Sequence, residues 1–134
     1  MRSRLKLTAI QMTIVLMVTL SACSLKSSET GFLQGAVTIG PLVPVVGPGV
    51  VEPTPGPQVY AGRKVVIWDA KGKRELQQVD ILGDGTYQVE LDVGTYVVDI
   101  NHLGIDHGSG LPATIEIHKD QVTILDIDID TGIR

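Results

Sequence analysis

The chain has 134 residues, enough for one domain and little beyond it. Its 11 Lys and Arg against 15 Asp and Glu give a net charge of −4, a poor match for nucleic acid or for lying flat on anionic lipid. The single cysteine excludes an intramolecular disulfide, so the fold must rest on its apolar core.

The first six residues carry Arg2, Arg4 and Lys6 and no acid. An apolar run follows over 7–20, broken only by Thr8, Gln11, Thr13 and Thr19. That suits a secretory leader and falls short of the roughly 20 clean apolar residues of a membrane-spanning helix. The run ends at Leu20-Ser21-Ala22-Cys23. This order of charge, apolar core, small residues and cysteine resembles the lipobox of bacterial lipoproteins, with Leu20 at its first position. The resemblance implies cleavage between Ala22 and Cys23, diacylglycerol transfer to the Cys23 thiol and acylation of the new amine with a fatty acid such as palmitate. Two or three acyl chains matter, because one alone anchors only marginally. The alternative, a buried cysteine in an uncleaved helix, fits the charge and length pattern poorly. The expected organisation is a signal peptide over 1–22, a lipidated flexible tether over 23–31 and a domain over 32–134. Loss of Arg2, Arg4 and Lys6 would leave 8 basic against 15 acidic residues, a charge of −7. The expected location is the cell envelope, outside the cytoplasm, with the acyl chains rather than the protein surface holding the membrane.

Along the domain, 34–39 predicts a first strand, with Val37 and Ile39 alternating against Ala36 and Thr38. Residues 40–59 contain Pro41, Pro44, Pro48, Pro53, Pro55 and Pro57. Missing donors and fixed φ angles there predict a long loop without regular strand or helix. Its valines (43, 45, 46, 50 and 51) suggest that some of it packs down on the domain. Further strands are predicted at 63–69, 75–81, 86–91, 95–100, 113–118 and 122–130. Turns at 70–73, 83–85, 92–94 and 119–121 separate them, and a glycine-containing loop covers 101–112. No helical period is sustained over ten residues, so seven short strands predict an all-β sandwich. In the last strand Leu125, Ile127 and Ile129 alternate with Asp126, Asp128 and Asp130, as on a half-buried strand with an acidic outer face.

Asp84-Gly85-Thr86-Tyr87-Gln88-Val89-Glu90-Leu91, followed by Val93-Gly94-Thr95-Tyr96-Val97-Val98, resembles the hairpin of carboxypeptidase regulatory-like domains. These are seven-stranded Greek-key sandwiches of the prealbumin-like (transthyretin-like) class. Gly35-Ala36-Val37-Thr38-Ile39-Gly40-Pro41 resembles the opening strand of one bacterial subgroup, and Asp130-Thr131-Gly132-Ile133-Arg134 its closing tail. Together these stretches span about 32–134. The resemblance implies no catalytic residues and no cofactor. Two departures are visible: 41–60 lack the cysteines that relatives often carry there, and Val93 replaces a usual proline.

His102, Asp106 and His107 form the most metal-like group, with His118 as a fourth candidate. No HxH, HExxH or CxxC spacing fixes it, so these residues read first as loop and surface residues. The aspartates 126, 128 and 130 repeat at about 7 Å on a strand, too far apart to share one ion without loop ligands, and read as a solvated face. Asp84-Gly85 reads as a turn. Trp68 and the tyrosines could line a carbohydrate or peptide platform, yet Trp68 sits in an apolar run and its expected place is the core. The leading functional reading is a non-catalytic structural or interaction module that meets an envelope protein or polysaccharide. The alternatives are a small envelope hydrolase or metal-binding protein using His102, Asp106 and His107, and a carrier beside a transporter or secretion system. For the hydrolase, the His, Arg and Ser motifs of the transthyretin-related enzymes find no match.

Overall fold

A computed structural model describes residues 28–44 and 47–134. The expected signal peptide, its cleavage point between Ala22 and Cys23, and the lipidation site Cys23 lie outside the described residues. Among the described residues, nine strands and one short helix follow in order: β1 (Thr30–Gly40), α1 (Pro57–Ala61), β2 (Lys64–Trp68), β3 (Glu75–Asp80), β4 (Thr86–Asp92), β5 (Gly94–Ile100), β6 (His107–Gly108), β7 (Ala113–Ile117), β8 (Val122–Ile124) and β9 (Ile127–Asp130). The fold is all-β, and its strands form two sheets. One runs β4-β1-β9-β6 with β8 also paired to β1, and the other runs β3-β2-β5-β7.

The period-two patterns explain the layers. In β4, Tyr87, Val89 and Leu91 are buried while Thr86, Gln88, Glu90 and Asp92 face water. Leu33, Val37 and Ile39 of β1 and Ile127 and Ile129 of β9 meet Val65 and Ile67 of β2, Val98 and Ile100 of β5 and Ile117 of β7 in one core. Each such side chain contributes about 1.5–3 kcal/mol by leaving water.

The strand at the centre of the first sheet is longer than its pattern predicts. β1 starts at Thr30, and it pairs antiparallel to β4 from Thr30 to Ala36. Its other side pairs parallel first to β8, then to β9. The predicted strand 122–130 is therefore two strands. The break falls at Leu125 and Asp126, where the Leu125 N–H donates to Gln34 O at 3.0 Å. The Asp126 carboxylate there accepts the Ala36 N–H at 2.9 Å. This break, and the two-residue β6 inside the predicted loop 101–112, account for nine strands where seven are expected.

The proline-rich stretch also departs from expectation. It ends in a helix, α1, because Pro57 occupies its first turn, where no N–H is required, and no proline follows before Ala61. The helix carries Tyr60 into the core. Of the stretch's apolar residues, Leu42 and Val59 pack against the core, whereas Val50 and Val51 remain exposed.

The opening and closing motifs meet at one end of the first sheet. Parallel register sets Gly40 opposite Asp130. The Thr131 N–H then donates to Gly40 O at 3.0 Å, and the buried Thr131 hydroxyl donates to Pro41 O. Asp130 closes the turn by accepting from the Gly132 N–H at 2.8 Å and from Arg134 Nη2 at 2.7 Å. The Arg134 guanidinium beside it holds the Asp130 carboxyl down to about 2.

Candidate functional site

β2 is an interior strand, flanked by β3 and β5, and its residues alternate across the sheet. Val65 and Ile67 face the core. Trp68, out of phase with them, belongs to the outer face and is only half-buried, which corrects the expectation of a core tryptophan. A register shift between β2 and β3 falls at Ile67 and Trp68. Such bulges kink a strand and re-aim its side chains.

Trp68 lines an open groove of about 400 Å³ on that outer face. Val97 and Asp99 of β5, Pro112 and Thr114 at β7, and Lys71 and Gly72 of the β2–β3 turn complete it. The turn is held from within. The Asp69 carboxylate accepts the Lys73 N–H at 2.8 Å, a contact that lowers its pKa, and the Gly72 N–H donates to Asp69 O at 2.8 Å. Gly72 adopts φ +64°, a conformation open to glycine at little cost.

Asp99 is the groove's carboxylate, and its orientation is fixed. Its Oδ1 accepts the Ile100 N–H at 2.8 Å and contacts His102 Nε2 at 3.1 Å. The other ring nitrogen of His102 lies 3.1 Å from Asp106 O. Two oxygens facing two ring nitrogens favour the doubly protonated imidazolium. The His102 pKa is accordingly raised, first by the Asp106 carbonyl and then by Asp99.

The structure thus brings His102 and Asp106 together, but through the Asp106 carbonyl. The buried Asp106 carboxylate faces Arg63 and accepts from Nε at 2.7 Å and Nη2 at 3.1 Å. His107 is exposed in β6, opposite Asp130. His118 is also exposed, 3.9 Å from Glu116. Among the described residues, no three His, Cys, Asp or Glu side chains converge as metal ligands would. The three aspartates of the last strands are separately engaged: Asp126 by the Ala36 N–H, Asp128 by the Thr38 hydroxyl and Asp130 by Arg134.

A larger cleft of about 610 Å³ lies where 52–55 cross the first sheet, between Glu52, Thr38, Asp128 and Asp130. Its carboxylates are occupied by structural partners, Glu52 accepting the Leu42 N–H at 3.0 Å. It is the seam that joins the motifs at the two ends of the domain. Arg63, Asp99 and the outer placement of Trp68 escape the sequence reading. The phase of the alternation carries the signal for Trp68, since a strand that buries Val65 and Ile67 must turn residue 68 outward.

No family model matches the chain, and neither does any curated protein. Among solved structures, the minor pilin GBS52 of the gram-positive pathogen Streptococcus agalactiae aligns with a TM-score of 0.49 at 14% identity, over 76% of this chain and 44% of that one. A DUF3823 family protein from Bacteroides ovatus aligns with a TM-score of 0.45 at 17% identity, over 73% and 44%. One from Parabacteroides merdae gives 0.44 at 15%, over 76% and 46%. The chain spans less than half the length of these neighbours.

Proposed function

We propose that this chain is a lipid-anchored, non-catalytic binding module of the bacterial cell envelope, with Cys23 as anchor and the Trp68 groove as the surface that meets its partner. The observation that carries the reading is the groove itself. It sets the chain's one tryptophan on the outer face of a sheet, beside a carboxylate fixed in place by neighbours. Small-ligand sites join an apolar surface to a few placed polar groups in this way. The hydrolase or metal-binding alternative has less to stand on, because Arg63 takes the Asp106 carboxylate.

We read the sandwich as carboxypeptidase regulatory-like, with the prealbumin-like Greek-key arrangement. The contact between Gly40-Pro41 and Asp130-Thr131 supports this, since it gives the opening and closing motifs one physical purpose.

The anchor is tested by metabolic labelling with radioactive palmitate in a bacterial host, followed by fractionation. Label and membrane association are expected in the natural chain, and both are lost in Cys23→Ser. A Cys23→Ser protein that stays on the membrane would refute the anchor.

A further inference from the structure

We propose that the Trp68 groove binds a neutral saccharide. This rests on reading the groove as the module's binding surface and adds the class of ligand.

The position of the groove in the sheet limits what can be recognised there. β2 is paired on both sides, to β3 and to β5, and β5 is paired to β2 and β7. Their backbone donors and acceptors are consumed in the ladders. Over β2 and β5 a peptide cannot add itself as a strand, since that mode needs an open sheet edge; the edge strand β7 meets the groove only through Pro112 and Thr114. Whatever binds is read by side chains.

Those side chains are of two kinds. Trp68, Val97 and Pro112 supply an apolar surface, while Asp99, Thr114 and Lys71 supply one carboxylate acceptor, one hydroxyl and one cationic donor. Asp99 Oδ1 is engaged by the Ile100 N–H and His102, and Oδ2 receives no hydrogen bond from the described residues. A sugar ring has the matching form: an apolar C–H face to lie against an indole, and a perimeter of hydroxyls that both donate and accept.

Charge narrows the class further. Lys71 and Asp99 offset one another within the groove, whereas the chain as a whole is acidic at −4. An anionic polymer would approach against that field, and a neutral glycan would not. The groove is also pre-organised. The Asp69 turn fixes the backbone at Lys71 and Gly72, and the Ile100 N–H and His102 fix the Asp99 carboxylate, so the groove's shape and its acceptor are set before binding.

Because Trp68 is the sole tryptophan, its fluorescence reports on the groove directly. The test titrates the full-length chain in detergent micelles with cellohexaose, maltohexaose and chitohexaose, and with a neutral proline-rich decapeptide. The expected result is a saturable change in emission with at least one glycan and none with the peptide. Thr114→Val keeps the reporter and is expected to weaken that binding about fivefold, the effect of losing one hydrogen bond. A response to the peptide but to no glycan would overturn the saccharide assignment and leave the groove as a binding surface. Silence with all four probes to about 10 mM, above the dissociation constants of weak ligands, would overturn both. A glycan response that Thr114→Val and Lys71→Met leave unchanged would overturn the placement in this groove.

Discussion

Arg63 grips Asp106 through two parallel hydrogen bonds, with side-chain exposures of only 17% and 5%. Arg63 Nη1 also donates to Val59 O at 2.8 Å, so one guanidinium ties the end of α1 to the chain entering β6. Removing one partner from a shielded pair leaves a charge without compensation, and that costs more than the pair itself contributes. Asp106→Ala and Arg63→Ala are each expected to lower stability by about 3 kcal/mol, and Arg63→Met with Asp106→Leu to recover most of the loss. Urea unfolding midpoints at constant slope measure this. Single variants within about 0.5 kcal/mol of the natural chain, the ordinary scatter of surface changes, would show that the pair is not structural.

Gly35 is required by proximity rather than by backbone angle. A Cβ there would lie 2.0 Å from Leu125 O and 2.7 Å from its carbonyl carbon. Leu125 O accepts the Tyr87 hydroxyl at 2.6 Å, and the Leu125 N–H donates to Gln34 O. Gly35→Ala must push this segment off β1 and break both contacts. The expected loss is about 2–3 kcal/mol, in the upper range for overpacking. Ala36→Ser, on the exposed side of the same strand, is the control and should change little. Equal thermal midpoints for the two variants would contradict the assigned register of β1 against the break between β8 and β9.

What the sequence reveals here depends on whether the controlling interaction is local. Period two is a property of the strand alone, and it suffices to set Tyr87, Val89 and Leu91 on one face, the buried one. The tyrosine hydroxyls find backbone partners, Tyr87 at Leu125 O and Tyr96 at Asp92 O. Trp68 is expected in the core from its apolar run alone, because its apolar neighbours mask the phase that turns it outward. Val66 is also buried on the outer side of β2, so both faces read as apolar. Asp106 cannot be assigned to Arg63 from sequence, since 43 residues separate them and only the tertiary fold closes the gap. The metal-like look of His102, Asp106 and His107 comes from proximity in sequence: the fold turns the Asp106 carboxylate to Arg63, the His102 ring to Asp99 and the Asp106 carbonyl, and leaves His107 exposed.

His102 gives the domain a specific pH response. Its folded pKa is raised above the ordinary 6.5 by the Asp106 carbonyl and Asp99. A raised value means that the imidazolium is stabilised by folding. The contribution is present in full below pH 6.5 and is lost as pH rises through the folded value. The ring is half exposed, so solvent screening keeps the effect small. NMR titration of the ring should show the raised midpoint. In His102→Asn, the fall in thermal midpoint across that same window should shrink. A midpoint at or below 6.5 would remove Asp99's charged partner.

Glu29 sets how far the domain can stand from a bilayer if Cys23 is its anchor. The Val93 N–H donates to Glu29 O at 2.8 Å, and Lys119 Nζ lies 2.9 Å from the Glu29 carboxylate. Only five residues therefore separate Cys23 from the first fixed point, and the six steps along the chain reach at most about 22 Å. With that anchor, the Val93 end of the sandwich would be held near the membrane. β1 runs 11 residues from that end, about 35 Å, to the Gly40 end, where Glu52 and the exposed Val51 lie. If Cys23 is acylated, its thiol, the only one in the chain, is consumed, and Val93→Cys and Val51→Cys each offer one free site for a fluorophore. With the protein on vesicles carrying a headgroup quencher, the label at 93 is expected to be quenched strongly and the label at 51 weakly. Equal quenching in protein that floats with the vesicles would rule out the short tether. Protein that fails to float would instead count against the anchor itself.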